Sequence, residues 1–396
     1  MNIEYNYDKI CNEWDGFVNK IKGDVLQTSA WGNYEFIYHN WRPVRFFVKS
    51  ENTIIAGCQI FIINDFIFGN VGLILAGPCF INKTSELMVL VVKELKKTIS
   101  VFNLSYLMIQ PNYKEHDLIP FLESEEFKPK ISYLPPFIYH SVSPYTLFLD
   151  LNLSNENLLK QMNENRRRGI KKGLKSPFKV KLGHREDLKT FYDLYNYTVT
   201  RQNYTNPTTG KVISMLPIIS SDEFEYMWNE LYPFGWIKLF LGTVEDETIC
   251  GALTFPFGNT FQYQLWGWNG KYSEYKISDV MQWEMIQWAK NNGFQIYDFC
   301  EIDNDIAKVI RSGEPIPDSF KEKFFYGPTV FKLQFGGNII EYPKMYACYS
   351  EKLKHIIETS KEDLTNLIKL YKDFYWGAKN FSNDHQVNFF KNLKVK

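Results

Sequence analysis

A pattern of three strands, a helix and a further strand occurs twice in this sequence. The first copy begins with VRFFVKS and IIAGCQIFII, two β-rich runs joined by a short polar turn. It continues through VGLILAGP to the helical run SELMVLVVKELKKTI and the apolar run SYLMIQP. A shift of 194 positions aligns it with the second copy, pairing Phe46 with Phe240, Ile55 with Ile249, Gly57 with Gly251 and Phe61 with Phe255. The pattern therefore predicts a duplicated β-β-β-α-β unit and two similar mixed sheets.

The length agrees with two domains, because 396 residues exceed what one hydrophobic core usually organises. We expect a first domain over residues 1–152 and a second over residues 153–345. Ser154 is placed to cap a long helix that opens the second domain and ends before Pro177. Residues 346–396 contain amphipathic helical patterns and are expected to pack back on the first domain. The predicted fold class is α/β (α+β), with mixed, centrally antiparallel sheets flanked by helices.

Charge and composition exclude several functional classes. Lys plus Arg equals Asp plus Glu at 45 each, so any contact with RNA must be local rather than driven by net charge. The six cysteines form no CxxC pair and the six histidines no HxxxH spacing, so no metal site is predicted. The first ten residues lack an apolar signal region, and no run is long enough to span a membrane. These features predict a cytoplasmic protein.

The densest basic cluster lies in the helix that opens the second domain and in the segment just after it. It could bind several phosphates, although charge runs are often only a solvated helix face. Gly169 and Gly173 share one face of this helix, which predicts that a ligand or a packed element approaches the backbone there. The cluster comprises Arg166, Arg167, Arg168, Lys171, Lys172, Lys175, Lys179 and Lys181.

Candidate catalytic residues follow the second copy of the repeat. Asp298 stands near the end of a predicted strand, where such sheets open into ligand crevices, and Glu301 and Asp303 are close by. Asp298 could serve as a base or only cap a loop. Lys332 is predicted to lie in a strand, TVFKLQFGG, where its ammonium would reach solvent or stabilise an oxyanion.

The helix predicted over residues 279–292 lacks a glycine-rich turn that would hold a pyrophosphate at its N-terminus. Ser278 and Asp279 are expected to cap this helix instead, and the Asp279 charge would repel a pyrophosphate. This favours a donor other than coenzyme A.

Six ordered segments resemble the Fem-type peptidoglycan-bridge aminoacyltransferases, whose domains have the GNAT fold. The resemblance covers roughly residues 25–345. In the first domain it departs from the family at Ala76, where the family usually has an arginine before Gly-Pro. The segments are QTSAWG, RRGIKKGLK, YNYTVTRQNY, the hairpin of KLFL with Gly251-Ala252, AKNNGFQIYDFCEI and VFKLQFGGNIIEYP.

The resemblance implies transfer of an amino acid from aminoacyl-tRNA to a small-molecule or lipid-linked amine of the cell wall, with no cofactor. By the same resemblance, Phe331 and Lys332 match a family Phe-Lys pair that contacts the tRNA end. In such a reaction we expect Asp298 or Glu301 to lie near the amine. Donor binding would involve Arg166, Arg167, Lys171, Lys172 and Phe331. Acceptor binding would involve Trp31, Arg201, Tyr204, Tyr263 and Trp266.

Two alternatives stay open at the level of the sequence. One is an N-acyltransferase that uses acyl-CoA or an acyl carrier protein and acts on an amino sugar or small metabolite. The other is an inert GNAT-like module that binds a sugar or protein. The transferred group, the acceptor and the oligomeric state are not predicted.

Overall fold

The structure is a computed structural model of the chain. It describes residues 1–65, 68–129, 143–201, 204–205, 212–213, 219–323 and 325–359.

Seventeen strands are present in the described residues. They are β1 Asn2–Asn6, β2 Arg42–Ser50, β3 Thr53–Asp65, β4 Gly69–Leu75, β5 Cys79–Phe80, β6 Tyr106–Gln110, β7 Lys128–Pro129, β8 Tyr145–Asp150, β9 Phe178–Leu182, β10 Tyr204–Thr205, β11 Val212–Ile213, β12 Lys238–Val244, β13 Glu247–Phe257, β14 Thr260–Trp268, β15 Ile296–Glu301, β16 Asn338–Glu341 and β17 Tyr346–Tyr349.

Twelve α-helices occur in the same ranges, with short 3₁₀ helices between them. The α-helices are α1 Asn12–Lys20, α2 Ser29–His39, α3 Ser85–Val101, α4 Ile119–Ser124, α5 Asn155–Gln161, α6 Glu164–Gly173, α7 Leu188–Arg201, α8 Ser221–Leu231, α9 Ile277–Asn291, α10 Asn304–Arg311, α11 Tyr326–Leu333 and α12 Glu351–Thr359. The 3₁₀ helices are Val25–Gln27, His116–Leu118, Arg185–Asp187, Tyr232–Phe234, Ser273–Tyr275 and Asp318–Glu322.

Two mixed sheets organise the chain. The first has the order β1-β2-β3-β4-β6-β17-β7, with β5 also paired to β3. The second has the order β16-β8-β15-β14-β13-β12-β9. In each sheet one central pair is parallel, β4 with β6 and β14 with β15, and the remaining pairs are antiparallel. The predicted mixed, centrally antiparallel sheets are confirmed.

The two copies of the repeat have matching details. The hairpin β2–β3 has an irregularity between Val48 and Lys49, and the hairpin β12–β13 has one between Gly242 and Thr243. These positions differ by the same 194-residue shift that aligns the sequences. A bulge changes the direction of the side chains that follow it. Its occurrence at the equivalent position of both hairpins supports a structural duplication.

The chain crosses to the second sheet earlier than the expected division at residue 153, and it returns to the first sheet at Tyr346. Strand β8, within the expected first domain, pairs with β15 and β16 of the second sheet. Strand β17 returns to the first sheet and pairs with β6, and α12 follows it. The boundary between the sheets thus lies before Tyr145. The second helix predicted for the C-terminal segment lies outside the described residues.

The helix expected from Ser154 to the residues before Pro177 is two helices, and the single-helix prediction is wrong. Ser154 caps α5 as expected, accepting a hydrogen bond from the backbone N–H of Asn157. Met162 and Asn163 then have extended ψ angles of 149° and 145°, and Asn163 caps α6. Asparagine is a strong N-cap residue, and this local preference starts a new helix.

One apolar core joins the two sheets. Trp31 and Phe61 from the first half pack in the same cluster as Phe191 and Phe255 from the second. The rings of Trp31 and Phe255 contact each other with centroids 5.5 Å apart. The two domains therefore pack as one body around shared side chains. In the described residues, no helix is long and apolar enough to cross a membrane.

Candidate active site

The second sheet opens where β14 and β15 separate. These parallel strands pair only through Thr260–Gln262 and Ile296–Asp298. On its other side, β15 loses register with β8 between Asp298 and Glu301, and Cys300 there has a positive φ of 58°. Non-glycine residues rarely adopt this conformation, and bulges of this kind concentrate next to functional sites. Asp298 and Glu301 thus flank the opening.

Asp298 is a buried carboxyl group suited to accepting a proton near neutral pH. Its side chain is 4% exposed and accepts hydrogen bonds from the Thr146 hydroxyl and from the Cys300 N–H, the latter at 2.7 Å. Burial raises the pKa of Asp298 to about 6, although both hydrogen bonds oppose the shift. A carboxyl with this pKa is mostly ionised at pH 7 and takes up a proton readily.

Lys332 lies in α11, so its predicted placement in a strand is wrong. Pro328 stands in the first turn, where proline favours a helix, and Gln334 N–H donates to the carbonyl of Val330. The β-branched and aromatic side chains of TVFKLQF suggested a strand, but the local hydrogen bonds and packing select the helix.

The helix nevertheless brings Lys332 to the opening of the sheet. Its ammonium donates to the backbone carbonyl of Glu301 at 2.6 Å. Burial lowers the pKa of Lys332, and the neighbouring Cys300, Glu301 and Asp298 oppose that shift. Burial likewise raises the pKa of Glu301, against the effect of the Lys332 charge. The three predicted catalytic residues Asp298, Glu301 and Lys332 therefore lie together.

A cavity between the two sheets adjoins Asp298. It is partly open to solvent and has room for about one water molecule. Asp24, from the segment after α1, lines this cavity. Its carboxylate accepts hydrogen bonds from the Leu26 N–H at 3.0 Å and from the Gln262 side-chain amide at 3.3 Å. Sequence reasoning missed this cavity because its walls come from distant segments. The remaining lining residues are Lys22, Gly23, Val25, Asn112, Tyr113, Lys114, Phe148, Phe257, Thr260 and Tyr342.

The arginines of the basic cluster have partners within the protein. Arg166 pairs with Asp279, and its guanidinium lies 5.0 Å from the centre of the Phe331 ring. Arg167 donates to the Met162 carbonyl at the end of α5, and Arg168 pairs with Glu164. Of the residues predicted to bind the donor, Arg166, Arg167 and Phe331 thus lie in structural contacts.

The lysines of the same cluster are solvent exposed. Lys171 and Lys172 lie in the last turn of α6 and Lys175 lies two residues beyond its end, and none forms an ion pair with a described residue. Lys179 and Lys181 project nearby from β9, the edge strand of the second sheet. The cluster therefore offers a positive surface built from lysines rather than arginines.

The two helical glycines permit close packing of α6 on α9. A Cβ atom on Gly169 would lie 1.9 Å from the Asp279 carboxylate, and one on Gly173 would lie 2.3 Å from Val280. The predicted capping role of Ser278 and Asp279 is wrong, because the N-cap position of α9 is Lys276 and makes no side-chain cap. Asp279 is held by Arg166 instead, since a buried carboxylate needs a cation. A packed helix, and not a ligand, occupies this face.

The residues predicted to bind the acceptor are dispersed. Trp31 is 2% exposed and belongs to the shared core, so it cannot offer its face to a ligand. Arg201 is exposed and lies over the rings of Tyr197 and Trp268 at 5.8 and 5.3 Å. The prediction for Trp31 fails because burying this large apolar ring in the core stabilises the fold more than exposing it at a binding surface would.

Tyr263 and Trp266 lie on the part of β14 that has separated from β15. Both are partly buried against the core of the second sheet, and burial and the nearby Cys300 raise the pKa of Tyr263. Tyr204 belongs to the short strand β10, and its side chain lies outside the described residues. Among the described residues, no group of three or more His, Cys, Asp or Glu side chains could hold a metal ion.

Comparisons with known proteins agree with this architecture. Residues 159–307 match the model of a GNAT acetyltransferase domain. No curated protein matches the sequence. The crystal structure of FemX superimposes with a TM-score of 0.73 at 18% identity, covering 91% of this chain and 100% of that one.

Two further similar structures are lysylphosphatidylglycerol synthetases. The C-terminal domain of a putative enzyme from Agrobacterium fabrum has a TM-score of 0.50 and 10% identity, covering 88% of this chain and 95% of that one. The enzyme from Bacillus licheniformis has a TM-score of 0.50 and 13% identity, covering 89% and 97%. The predicted fold, two tandem GNAT-like domains resembling the Fem type, is confirmed, and the matched domain identifies an acyltransferase.

Proposed function

We propose that this acyltransferase of the Fem-type fold moves an aminoacyl group from aminoacyl-tRNA to an amine and so forms an amide. The observation that carries the proposal is the closed N-terminus of α9. Asp279 lies there, 4% exposed and paired with Arg166, and α6 packs against it through Gly169. A diphosphate at this helix end would meet a carboxylate and a packed helix, which disfavours a coenzyme A donor bound in that manner.

The residues at the opening of the second sheet support direct attack of an amine on an ester. The acceptor's ammonium gives one proton to Asp298, and the freed lone pair attacks the ester carbonyl carbon, forming the C–N bond. Lys332 stabilises the oxyanion. The C–O bond to the ribose then breaks, and the leaving oxygen takes the second proton from the nitrogen. No covalent enzyme intermediate is required, and orientation of the two substrates supplies much of the rate.

The exposed lysines of α6 and β9 support a polyanionic donor. Lys171 and Lys172 lie in α6, the helix that packs on α9, and Lys175 follows the end of α6. Neutralising several phosphates by such lysines gives binding that weakens with salt. The acceptor is proposed to be an amine of a cell-wall precursor or a related amino compound, in keeping with the resemblance to the Fem-type enzymes.

A transfer assay tests the proposal. Purified protein is mixed with bulk tRNA charged with labelled amino acids and with a panel of primary amines, and amide products are detected by mass spectrometry. We expect product that disappears after ribonuclease treatment. Product formed only with acyl-CoA or an acylated carrier protein would contradict the proposal.

That second donor class has one observation in its favour, the match of residues 159–307 to an acetyltransferase domain. The same assay with acetyl-CoA in place of charged tRNA measures it directly. An acyl carrier protein would also present its phosphopantetheine arm to the lysines of α6, so the ribonuclease control separates the two donors.

A further inference from the structure

The turn before α9 presents two stacked tyrosine rings at the protein surface. The ring centres of Tyr272 and Tyr275 lie 5.7 Å apart, with the ring planes 11° from parallel, and both side chains are partly exposed. Tyr272 and Lys276 flank the short 3₁₀ helix here with positive φ angles of 56° and 58°. Non-glycine residues rarely adopt such angles, and strained backbone of this kind concentrates at ligand-binding sites. An unusual turn thus fixes an aromatic pair at the surface.

Lysines without an acidic partner border the same turn. Helix α6 packs against the turn through Gly173, where a Cβ atom would lie 2.5 Å from the Tyr275 carbonyl oxygen. Glu274 is an exposed acidic residue within the turn, but the exposed lysines outnumber it. The surface around the tyrosines is therefore positively charged. The exposed lysines that form no ion pair with a described residue here are Lys171, Lys172 and Lys276.

At the other end of the turn an arginine lies over aromatic rings. The Arg201 guanidinium is 5.3 Å from the centre of the Trp268 ring and 5.8 Å from that of Tyr197. The Trp268 indole N–H donates to the Lys271 carbonyl at 3.0 Å, which joins this ring to the turn. Arg201 is exposed and forms no ion pair with a described residue. Cations and aromatic rings therefore occur together at both ends of the turn.

This combination fits an unpaired nucleic acid strand better than a duplex or a carrier protein. Lysines attract the phosphates of any polyanion, but aromatic side chains add stacking only with bases that are free of a double helix. A duplex presents its backbone and grooves instead. An acidic protein surface has no purine or pyrimidine ring to stack on tyrosine.

Contacts between side chains connect the turn to the candidate catalytic residues. Asp279, three residues after Lys276, pairs with Arg166. The Arg166 guanidinium lies 5.0 Å from the centre of the Phe331 ring, and Lys332 follows Phe331 in α11. The turn and Lys332 therefore belong to one continuous set of contacts.

We propose that the turn over residues 270–276 binds the unpaired 3′ nucleotides of the donor tRNA. One base stacks on the pair formed by Tyr272 and Tyr275. Lys171, Lys172 and Lys276 hold the neighbouring phosphates. The assignment of this strand to the donor rests on the proposed function, whereas the binding of an unpaired RNA strand to this surface does not.

Fluorescence anisotropy of a short single-stranded RNA ending in CCA, titrated with the full chain, tests the proposal. Tyr272→Leu and Tyr275→Leu should each weaken binding at least about fivefold, because stacking on an aromatic ring contributes strongly to the affinity for a base. Tyr272→Phe and Tyr275→Phe keep the rings and should bind like the wild type. Tyr226→Leu, at an exposed tyrosine of α8, is the matched control and should also bind like the wild type. Thermal melting checks that each variant is folded.

Salt dependence separates stacking from charge. Changing Lys171 and Lys172 together to glutamine should reduce the slope of log affinity against log salt by roughly 1.4, at about 0.7 for each phosphate contact on a single strand. The two leucine variants should lower the affinity at every salt concentration and leave this slope unchanged. The same RNA annealed to its complement should bind the leucine variants and the wild type equally.

Two results would overturn the proposal: wild-type affinity for the RNA strand in both leucine variants, or binding of inorganic polyphosphate as tight as that of the RNA strand. If the leucine variants bind the strand normally and the protein still transfers from charged tRNA, this surface is refuted and the proposed function stands. If the strand binds through the tyrosines but nothing is transferred from charged tRNA, the donor assignment alone is refuted.

Discussion

Replacing Lys332 with methionine tests the role of the cation that lies beside Asp298 and Glu301. Methionine has a similar length and fits the same helix, but it carries no charge and cannot donate to the Glu301 carbonyl. Removing one donor from an oxyanion site lowers kcat by about 10²–10³, or roughly 3 kcal/mol of transition-state stabilisation. The lost hydrogen bond to Glu301 adds about 1 kcal/mol of destabilisation, which alone would not affect turnover.

Lys290→Met is the matched control for this variant. Lys290 in α9 also donates to backbone carbonyls, those of Leu151 and Leu153, at 2.7 Å each. We expect both variants to lose some thermal stability and only Lys332→Met to lose turnover, measured as the initial rate of amide formation at saturating substrates. A folded Lys332→Met variant whose kcat stays within threefold of the wild type would refute the role of Lys332 in the reaction.

Three further outcomes are expected. The rate of amide formation should fall about tenfold per pH unit below pH 6, because Asp298, with its pKa raised to about 6, then becomes protonated and cannot accept a proton; a flat profile between pH 5 and 7 would contradict this. Gly169→Ala should destabilise the protein by about 1–3 kcal/mol in thermal melts, since its methyl group would collide with Asp279, whereas Gly16→Ala, with nothing within 4 Å, should be neutral or stabilising. Glu35, buried in α2, has a pKa raised well above its usual value, so the folded state keeps a proton that the unfolded state releases as pH rises above about 4.5; its burial therefore lowers stability increasingly toward high pH. Glu35→Gln should remove this dependence in denaturant titrations at pH 5 and pH 8, and an unchanged pH dependence would exclude Glu35 as its source.

Much of the fold was predictable because its signals are local. The hairpins β2–β3 and β12–β13 follow from β-rich runs separated by polar turns, and the helix predicted over residues 279–292 matches α9. The break of α5 and α6 at Asn163 was missed because a cap in the middle of a helical pattern resembles an ordinary polar position. Lys332 was misassigned to a strand because its neighbours have strand propensity, and tertiary packing overrides such preferences.

The site was only half predictable. Asp298 and Glu301 could be proposed from their place at the end of an apolar run, and Lys332 from its place in a predicted strand and from the Fem-type resemblance. The structure brings the three together. Asp24 and Tyr342 could not, because nothing in one sequence shows that a turn after α1 and the segment after β16 meet across two sheets. A buried polar residue of this kind is recognised only after the partners that surround it are known.

Binding of charged bulk tRNA at two salt concentrations, beside binding of acetyl-CoA, tests the central claim most directly. The account predicts tRNA binding that weakens with salt, and a salt dependence reduced by about two phosphate contacts when Lys171, Lys172 and Lys175 are changed to glutamine. It also predicts no binding of acetyl-CoA at the closed end of α9. Tight binding of acetyl-CoA together with no binding of charged tRNA would contradict the account and favour a CoA-dependent acyltransferase.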